Sequence, residues 1–349
     1  MQSFENSAIN RPGAMKWTYV THRVDSSLAA GLVPPVAEPD PGAIVLGRVT
    51  TIGRHKEVED VTGRKRTLFP GDLIVGVLGH RYATDQYEGR AAASGRTGHL
   101  LGIGGVCGEV VSKNERMIDA TCVEWLGRLS DRNGAPLHLR RFGLRPSPAP
   151  AASRPRTLLA VGASMNSGKT TTAAQAIRSL AEERGRVAAA KLTGTACRKD
   201  PGMMEDAGAV RVLDFTECGY PSTAHCERRD LLAIASDLRH ALLSEAPEFV
   251  VYEIADGVFQ RETRILLEDP EFRRTIDAVV FTGVDSVSCE SGVRYLRTLG
   301  YNVVATAGLV ANSRLGMSEA ETVTGIPCLN GAMILDGALR LKLLRARAA

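Results

Sequence analysis

The segment that most constrains the fold is a loop rich in small residues, Ala163-Ser-Met-Asn-Ser-Gly-Lys-Thr-Thr171. An apolar, strand-like run precedes it, and a helical pattern begins near Lys169. In such a loop the glycine lets backbone N–H groups turn inward and cradle phosphate oxygens. Lys169 can then reach the β- and γ-phosphates, and the Thr170 hydroxyl can ligate Mg²⁺. The loop therefore predicts a bound nucleoside triphosphate, and the residues expected to hold its phosphates are Ser164, Met165, Asn166, Ser167, Gly168, Lys169, Thr170 and Thr171.

Strand-like and helical patterns alternate in the C-terminal half of the chain. The strand-like runs are 157–162, 187–192, 249–254, 278–282 and 303–307. The helical patterns between them are 169–183, 230–244 and 289–299. This alternation predicts an α/β domain with a mostly parallel sheet. Ligands of such sheets bind at the carboxyl ends of the strands, so the residues that follow each strand are the candidate site.

The N-terminal half shows a different pattern, in which short strand-like runs that contain glycine occur at 43–50, 73–78 and 100–111. Closely spaced strands predict a smaller β-rich, barrel-like domain. We expect one helix, over about 120–129, to close it. Four prolines at 143–156 predict an extended linker. The predicted organisation is a β-rich domain over 1–142, a linker over 143–156 and a nucleotide-binding domain over 157–349.

Composition excludes several classes of function. Lys and Arg exceed Asp and Glu by only 4 charges, and 5% of residues are aromatic, which argues against a nucleic-acid binder that stacks bases. No apolar run approaches the ~20 residues of a membrane helix. The seven cysteines form no C-x-x-C pair, which predicts reduced thiols and no zinc site. We therefore expect a cytoplasmic protein with no nucleic-acid or membrane partner.

Four further motifs follow the loop in order along the chain. They are Lys191-Leu-Thr-Gly-Thr195, Met204-Glu-Asp206, Val250-Val-Tyr-Glu253 and Gly308-Leu-Val-Ala-Asn312. With the loop, they make the segment from Thr157 to about Asn330 resemble dethiobiotin synthetase and its relatives, ATP-dependent phosphate-loop ligases of the SIMIBI class. Dethiobiotin synthetase itself is a single domain, so the N-terminal half of this chain is an addition to it. A family of acyl-amino-acid-ligase-like proteins also joins an N-terminal domain to such a module, but that domain is α/β, whereas the one predicted here is barrel-like.

The resemblance implies a role for each motif. Lys191 would meet the γ-phosphate and the reacting carboxylate or carbamate of the substrate, so that Lys169 and Lys191 are the predicted catalytic residues. Asp206 and Glu253 would hold Mg²⁺ together with Thr170. The Asn312 amide would pair with adenine. The implied cofactors are ATP and Mg²⁺, and the family implies a homodimer.

One departure from the family leaves the substrate pocket open, because the segment Ile254-Ala-Asp-Gly257 stands where the family has consecutive glycines. Ser164 stands where partition-protein and arsenite-pump ATPases have a lysine, which disfavours that subgroup. The favoured function is a ligase that phosphorylates a small-molecule carboxylate or carbamate for capture by an amine or another nucleophile. The alternatives are a nucleotide-hydrolysing accessory protein for metal-cofactor insertion, since the loop also resembles a molybdopterin-guanine-dinucleotide accessory GTPase, and a small-molecule kinase.

Overall fold

The computed structural model describes residues 15–34, 40–144, 154–182 and 185–346. The chain divides into two compact units. Unit 1 contains the described residues through Leu144 together with two later segments, Thr195–Arg198 and Phe215–Ala224, and unit 2 contains the rest. Most of the predicted linker, residues 145–153, lies outside the described residues.

Unit 1 is a β-rich unit, as its sequence predicts. Its short 3-10 helices span Tyr19–Thr21, Ser26–Leu28 and Leu139–Phe142. The strands of its described part are β1 (Met15–Trp17), β2 (Gly31–Val33), β3 (Ile44–Thr51), β4 (Glu57–Glu59), β5 (Lys65–Thr67), β6 (Leu73–Leu78), β7 (Arg81–Tyr82), β8 (Tyr87–Arg90), β9 (Thr97–Leu100), β10 (Val106–Lys113) and β11 (Thr121–Ser130).

The main sheet of unit 1 closes on itself in a ring. Strands β6, β3, β11, β9 and β10 pair in that order, and β10 pairs again with β6. The closing contact is short, because only Val106 with Val77 and Cys107 with Leu78 are in register. The arrangement is therefore ring-like and is not a regular barrel.

The predicted helix over 120–129 is wrong, because this segment is strand β11. Side chains along it alternate between buried and half-buried, and Thr121, Val123 and Trp125 point to one side with at most 6% exposure. That period of two belongs to a strand with one buried face. The strand pairs on both sides, with β3 and with β9, so its β-branched and aromatic residues suit its place in the sheet.

Unit 2 confirms the predicted α/β class. Its parallel strands run in the order β14, β13, β15, β12, β16, β17 across the described sheet. They are β12 (Arg156–Gly162), β13 (Val187–Lys191), β14 (Arg211–Asp214), β15 (Phe249–Glu253), β16 (Ala278–Gly283) and β17 (Val303–Gly308). The helices described around them are α1 (Lys169–Glu182), α2 (Lys199–Asp206), α3 (Arg228–Leu243), α4 (Arg261–Leu267), α5 (Pro270–Arg274), α6 (Ser286–Thr298), α7 (Arg314–Thr324), α8 (Gly331–Leu335) and α9 (Ala338–Arg345).

Small side chains bring α1 close to the sheet. Ala173 and Ala176 of α1 are fully buried in one core cluster with Ala160 of β12, Ala189 of β13 and Val251 of β15. Because alanines lie both on the helix and on the strands that it contacts, the helix can pack close to the sheet at little cost in side-chain entropy. The start of α1 therefore lies over the carboxyl ends of these three strands.

Strand register aligns the site residues. Glu253 at the end of β15 lies opposite Ala160 of β12 on one side and opposite Lys191 of β13 on the other. Lys191 in turn lies opposite Asp214 of β14. Four chain segments thus present polar or small residues at one edge of the sheet.

Replacement of Gly292 in α6 by alanine tests the packing of this helix on the sheet. A Cβ atom at Gly292 would lie 2.0 Å from Cζ of the fully buried Phe281 in β16. Although alanine favours helix by about 1 kcal/mol, we expect overpacking to lower the free energy of unfolding by about 1–3 kcal/mol. Urea denaturation measures this, with S291A at the preceding residue as the control. A G292A protein as stable as S291A would contradict the described packing.

His55 of unit 1 makes stability depend on pH. Its Nδ1 atom lies 3.2 Å from the Leu100 carbonyl oxygen, and burial, reinforced by the Arg81 charge, lowers the pKa of His55 to about 4. Because the unfolded chain binds this proton first, the stabilisation is complete above about pH 6.5 and is lost as the pH falls through about 4. We expect wild type to lose up to about 3 kcal/mol relative to H55Q over that range. Urea denaturation at several pH values from 7 to 4 gives the free energy of unfolding of both proteins. If the two free energies fell in parallel as the pH falls, the predicted effect of His55 would be contradicted.

Candidate functional site

The phosphate loop joins β12 to α1 and is held in a strained backbone conformation. Asn166 and Gly168 have φ angles of 59° and 101°, in the left-handed region that favours glycine. The Lys169 ammonium donates to the Ser164 carbonyl oxygen across the loop at 2.7 Å. Burial lowers the pKa of Lys169, and the Glu253 carboxylate opposes this shift. The lysine that the sequence assigns to phosphate is therefore folded back over its own loop.

A buried hydroxyl pair anchors the loop to the sheet. Ser167 Oγ and Thr282 Oγ1 lie 2.8 Å apart, and both residues are fully buried. The Ser167 carbonyl accepts from the Leu309 amide at 3.3 Å, and the Thr282 carbonyl accepts from the Ala163 amide at 2.9 Å. A Cβ atom at Gly308 would lie 2.2 Å from the Ser167 oxygen, so β17 must end in glycine here.

Glu253 is the most buried charged residue of the site, at 1% exposure. Its Oε1 atom accepts from the Thr170 hydroxyl at 2.9 Å and lies 3.9 Å from Lys191 Nζ. Its Oε2 atom is buried and has no hydrogen-bond partner in the described part of the chain. Burial raises the pKa of Glu253, and the attraction of Lys191 offsets this only in part. A buried carboxylate oxygen without a partner is costly unless a cation or donor joins it.

These residues fit a magnesium ion. A hydroxyl and a carboxylate are hard oxygen ligands, and Mg²⁺ beside phosphates commonly uses one or two such side chains and keeps several waters. The orphaned Oε2 atom of Glu253 beside Thr170 is the ligand that such an ion requires. Among the described residues no group of three or more His, Cys, Asp or Glu side chains is placed to hold a metal.

The predicted ligand Asp206 and the unassigned Asp200 lie at opposite ends of α2. Asp206 is the last residue of α2 and is exposed, and it does not line the cavity at the loop. Asp200, in the first turn of the same helix, lines that cavity and pairs with Lys191. Burial acts to raise the pKa of Asp200, but the Lys191 ammonium holds it below its usual value. Of the two carboxylates, Asp200 is therefore the one beside the loop.

A cavity of about 310 Å³ collects most of the predicted residues. The predicted residues on its wall are Met165, Asn166, Gly168, Lys169, Thr170, Thr171, Lys191 and Glu253. The sequence interpretation did not assign the others, which are Lys199, Asp200, Met203, Ala255 and Asp256. Asp256 follows the end of β15 by three residues, a position from which carboxylates in such sheets reach ligands, whereas Asp200 lies in α2 and carried no such signal.

Asp256 lines this cavity, and Gly257 follows it in the turn after β15. Asp256 has a φ angle of 61°, and a Cβ atom at Gly257 would lie 2.3 Å from the Ala163 oxygen. The turn after β15 therefore presses against the start of the phosphate loop, and a glycine is required at this point.

A second, smaller cavity of about 170 Å³ adjoins the first, and Gly168 and Thr171 line both. Asn312, the last residue of a 3-10 helix over Leu309–Asn312, lies on its wall and is exposed. The other polar side chains there include Gln175 and Asn330, which the sequence did not single out. The predicted base-binding asparagine therefore shares a cavity with the loop. Ser164 and Ser167 are the predicted loop residues that line neither cavity.

No helix in the described ranges is both long enough and apolar enough to cross a membrane.

Comparisons with known proteins give only distant, partial likenesses. No family model and no curated protein matches the chain. Solved structures match it partially. The signal recognition particle 54 kDa protein of Aeropyrum pernix is 20% identical over 56% of this chain and 50% of that one, with a TM-score of 0.36. A ParA family ATPase of Chlorobium tepidum is 14% identical over 55% and 95%, with a TM-score of 0.33. A DUF1611 family protein of Anabaena variabilis is 12% identical over 62% and 66%, with a TM-score of 0.43.

This chain thus spans about half the length of the signal recognition particle protein. Because these TM-scores lie below 0.5, neither a family nor an activity follows from them. The loop between β12 and α1 and the parallel sheet around it give unit 2 a phosphate-loop NTPase-like fold on their own.

A double-mutant cycle tests the anchor of the loop. T282V keeps the shape of the side chain but leaves the buried Ser167 hydroxyl without its partner, so we expect a loss of about 1–3 kcal/mol in the free energy of unfolding. S167A is expected to cost a similar amount, and the double variant about 1 kcal/mol less than the sum of the two. Urea denaturation of all four proteins measures the coupling. Strictly additive losses would contradict a hydrogen bond between these hydroxyls.

Proposed function

We propose that this chain binds ATP with Mg²⁺ and uses it to phosphorylate a small-molecule carboxylate or carbamate, which an amine or another nucleophile then captures. The observation that carries the proposal is the buried Glu253 carboxylate, with one oxygen held by Thr170 and the other without a partner in the described chain. It lies in the same cavity as three lysines, Lys169, Lys191 and Lys199.

The nucleotide would occupy both cavities of the loop. Its phosphates would lie on the backbone N–H groups of residues 164–170, with Lys169 turned from the Ser164 carbonyl towards them. Thr170 and Glu253 would hold Mg²⁺, which neutralises phosphate charge when bound. The base would extend past Gly168 and Thr171 into the cavity that Asn312 lines. The Asn312 amide has both a donor and an acceptor for a base edge.

Lys191 is the residue that favours transfer of the phosphate to a carboxylate over simple hydrolysis of the nucleotide. Its ammonium lies at the carboxyl end of β13, is 8% exposed and pairs with Asp200. A substrate carboxylate that takes the place of Asp200 would be held beside the phosphate site by the same charge. One carboxylate oxygen then attacks the γ-phosphorus, the bond to the β-phosphate oxygen breaks, and ADP leaves. The amine attacks the carbonyl carbon of the acyl phosphate, and inorganic phosphate and a proton leave.

No side chain need act as a base in the first step, because a carboxylate is already deprotonated near neutral pH. Catalysis would come from positioning and from cations placed where negative charge develops. In this assignment Asp200 is the carboxylate that the substrate displaces, and Asp206 has no role at the site.

The test measures nucleotide consumption with Mg²⁺ in the presence of pools of small carboxylates, with hydroxylamine as the trap. We expect ATP turnover that requires a carboxylate and yields a hydroxamate. K169A and K191A should each lower turnover by at least about 100-fold, because each removes a charge that stabilises the transferred phosphate. The control is K65A, which removes an exposed lysine of β5.

Binding measurements separate the two lysines. K191A should retain the affinity of wild type for a fluorescent ATP analogue within about threefold, whereas E253Q should lose the Mg²⁺-dependent part of that affinity. Turnover of K169A at the rate of wild type would overturn the nucleotide assignment. Slow hydrolysis that no small molecule accelerates would favour the accessory protein, and a stable phosphorylated product with no second acceptor would favour the kinase.

A further inference from the structure

A third cavity of unit 2, of about 420 Å³, shares no lining residue with the two cavities of the loop. Tyr252 of β15 contributes to its wall. Because side chains alternate along a strand, Tyr252 and the adjacent Glu253 face opposite sides of the sheet. The other lining residues belong to α3, to α5 and to the residues that flank α5, and include Leu232, Ala235, Arg239, Asp269, Glu271 and Phe272.

Two buried donors on this wall lack partners. The Tyr252 side chain is 1% exposed, and its hydroxyl has no hydrogen-bond partner among the described residues. The Nη1 atom of Arg239 is also buried without a partner within the described ranges. Burial raises the pKa of Tyr252, while the Arg239 guanidinium, through its charge and its contact with the Tyr252 hydroxyl, acts to lower it. A tyrosine hydroxyl and a guanidinium left unsatisfied at one cavity are a costly arrangement that a bound acceptor would relieve.

The acidic residues of the cavity are already neutralised. Asp269 accepts from the backbone amides of Glu271 and Phe272 at 3.0 Å each and from Arg228 Nη2 at 2.5 Å. Glu271 pairs with Arg274 on its own helix. Arg239 makes no ion pair with any described residue, so its positive charge is not balanced locally.

We propose that this cavity binds a small carboxylate with an apolar body. The carboxylate would accept from Arg239 and Tyr252, which supply a charged and a neutral donor on one wall. The body would lie against Leu232, Ala235 and the Phe272 ring, whose centroid is 6.5 Å from that of Tyr252. A volume of about 420 Å³ lies within the range of about 300–1,000 Å³ that is usual for small-molecule sites. The inference stands without the proposed function, because no residue is common to the two sites.

The experiment uses the full chain and ¹⁹F NMR of three acids: 4-fluorobenzoate, 4-fluorophenylacetate and 3-(4-fluorophenyl)propionate. The corresponding neutral amides are the matched ligands. We expect at least one acid to bind with a dissociation constant below about 1 mM and its amide to bind at least about tenfold more weakly, since the amide lacks the charge. K169A should bind that acid as wild type does.

Two variants locate the binding. R239Q should raise the dissociation constant of the acid by at least about tenfold, and Y252F should raise it by at least about threefold, because each variant removes one donor to the carboxylate. The controls are R294Q and Y295F on α6, which change an exposed arginine and a tyrosine outside the cavity. Y252F keeps the ring and removes only the hydroxyl beside Arg239, so its melting temperature, measured beside that of wild type, shows that the variant is folded.

Three results would each overturn the inference. The first is the absence of binding of all three acids at about 5 mM, a concentration at which a weak millimolar site would still be partly filled. The second is an acid affinity that neither R239Q nor Y252F lowers, which would place the binding elsewhere. The third is equal binding of an acid and its amide. Y252F keeps the test decisive if R239Q does not fold.

Discussion

The hydrogen bond from the Thr170 hydroxyl to Glu253 is the contact on which the site depends, because it ties the first turn of α1 to the end of the neighbouring strand. The geometry of this hydrogen bond is set by the packing of apolar residues away from the site. Alanines let α1 approach the sheet, and parallel pairing brings the ends of β12, β13 and β15 level. Lys191 then lies beside Glu253 without any sequence relationship to it. A polar site at the edge of a parallel sheet is thus a product of its apolar core.

The parts of the site that could be predicted from the sequence are those whose residues lie close together along the chain or at the end of a strand. The loop from Ala163 to Thr171 is contiguous, so its role follows from spacing alone, and Lys191 and Glu253 could be placed because each ends an apolar strand. The choice between Asp200 and Asp206 could not be made in this way. Both lie on α2, and only the placement of that helix decides which of them meets Lys191.

The misjudged helix over 120–129 has a similar cause. Val123, Leu126 and Leu129 are spaced by three, which suits one face of a helix, while Thr121, Val123 and Trp125 are spaced by two, which suits a strand. The pairing of β11 with strands on both sides decides between them, and that pairing is a long-range contact. The cavity behind Tyr252 was equally hidden, because a tyrosine in an apolar strand gives no sign that its hydroxyl lacks a partner.

The composition of unit 1 has a consequence for the integrity of the whole chain. Its two late segments are bound within it, since the Arg198 amide donates to Glu59 at 2.7 Å and the Arg23 guanidinium donates to Glu217 at 2.6 Å. The covalent path therefore passes from one unit to the other five times. A fragment cut at the predicted boundary would carry both segments without the residues that fix them. The loops that leave β13 and β14 would then lose their conformation, although no residue of unit 2 had been removed.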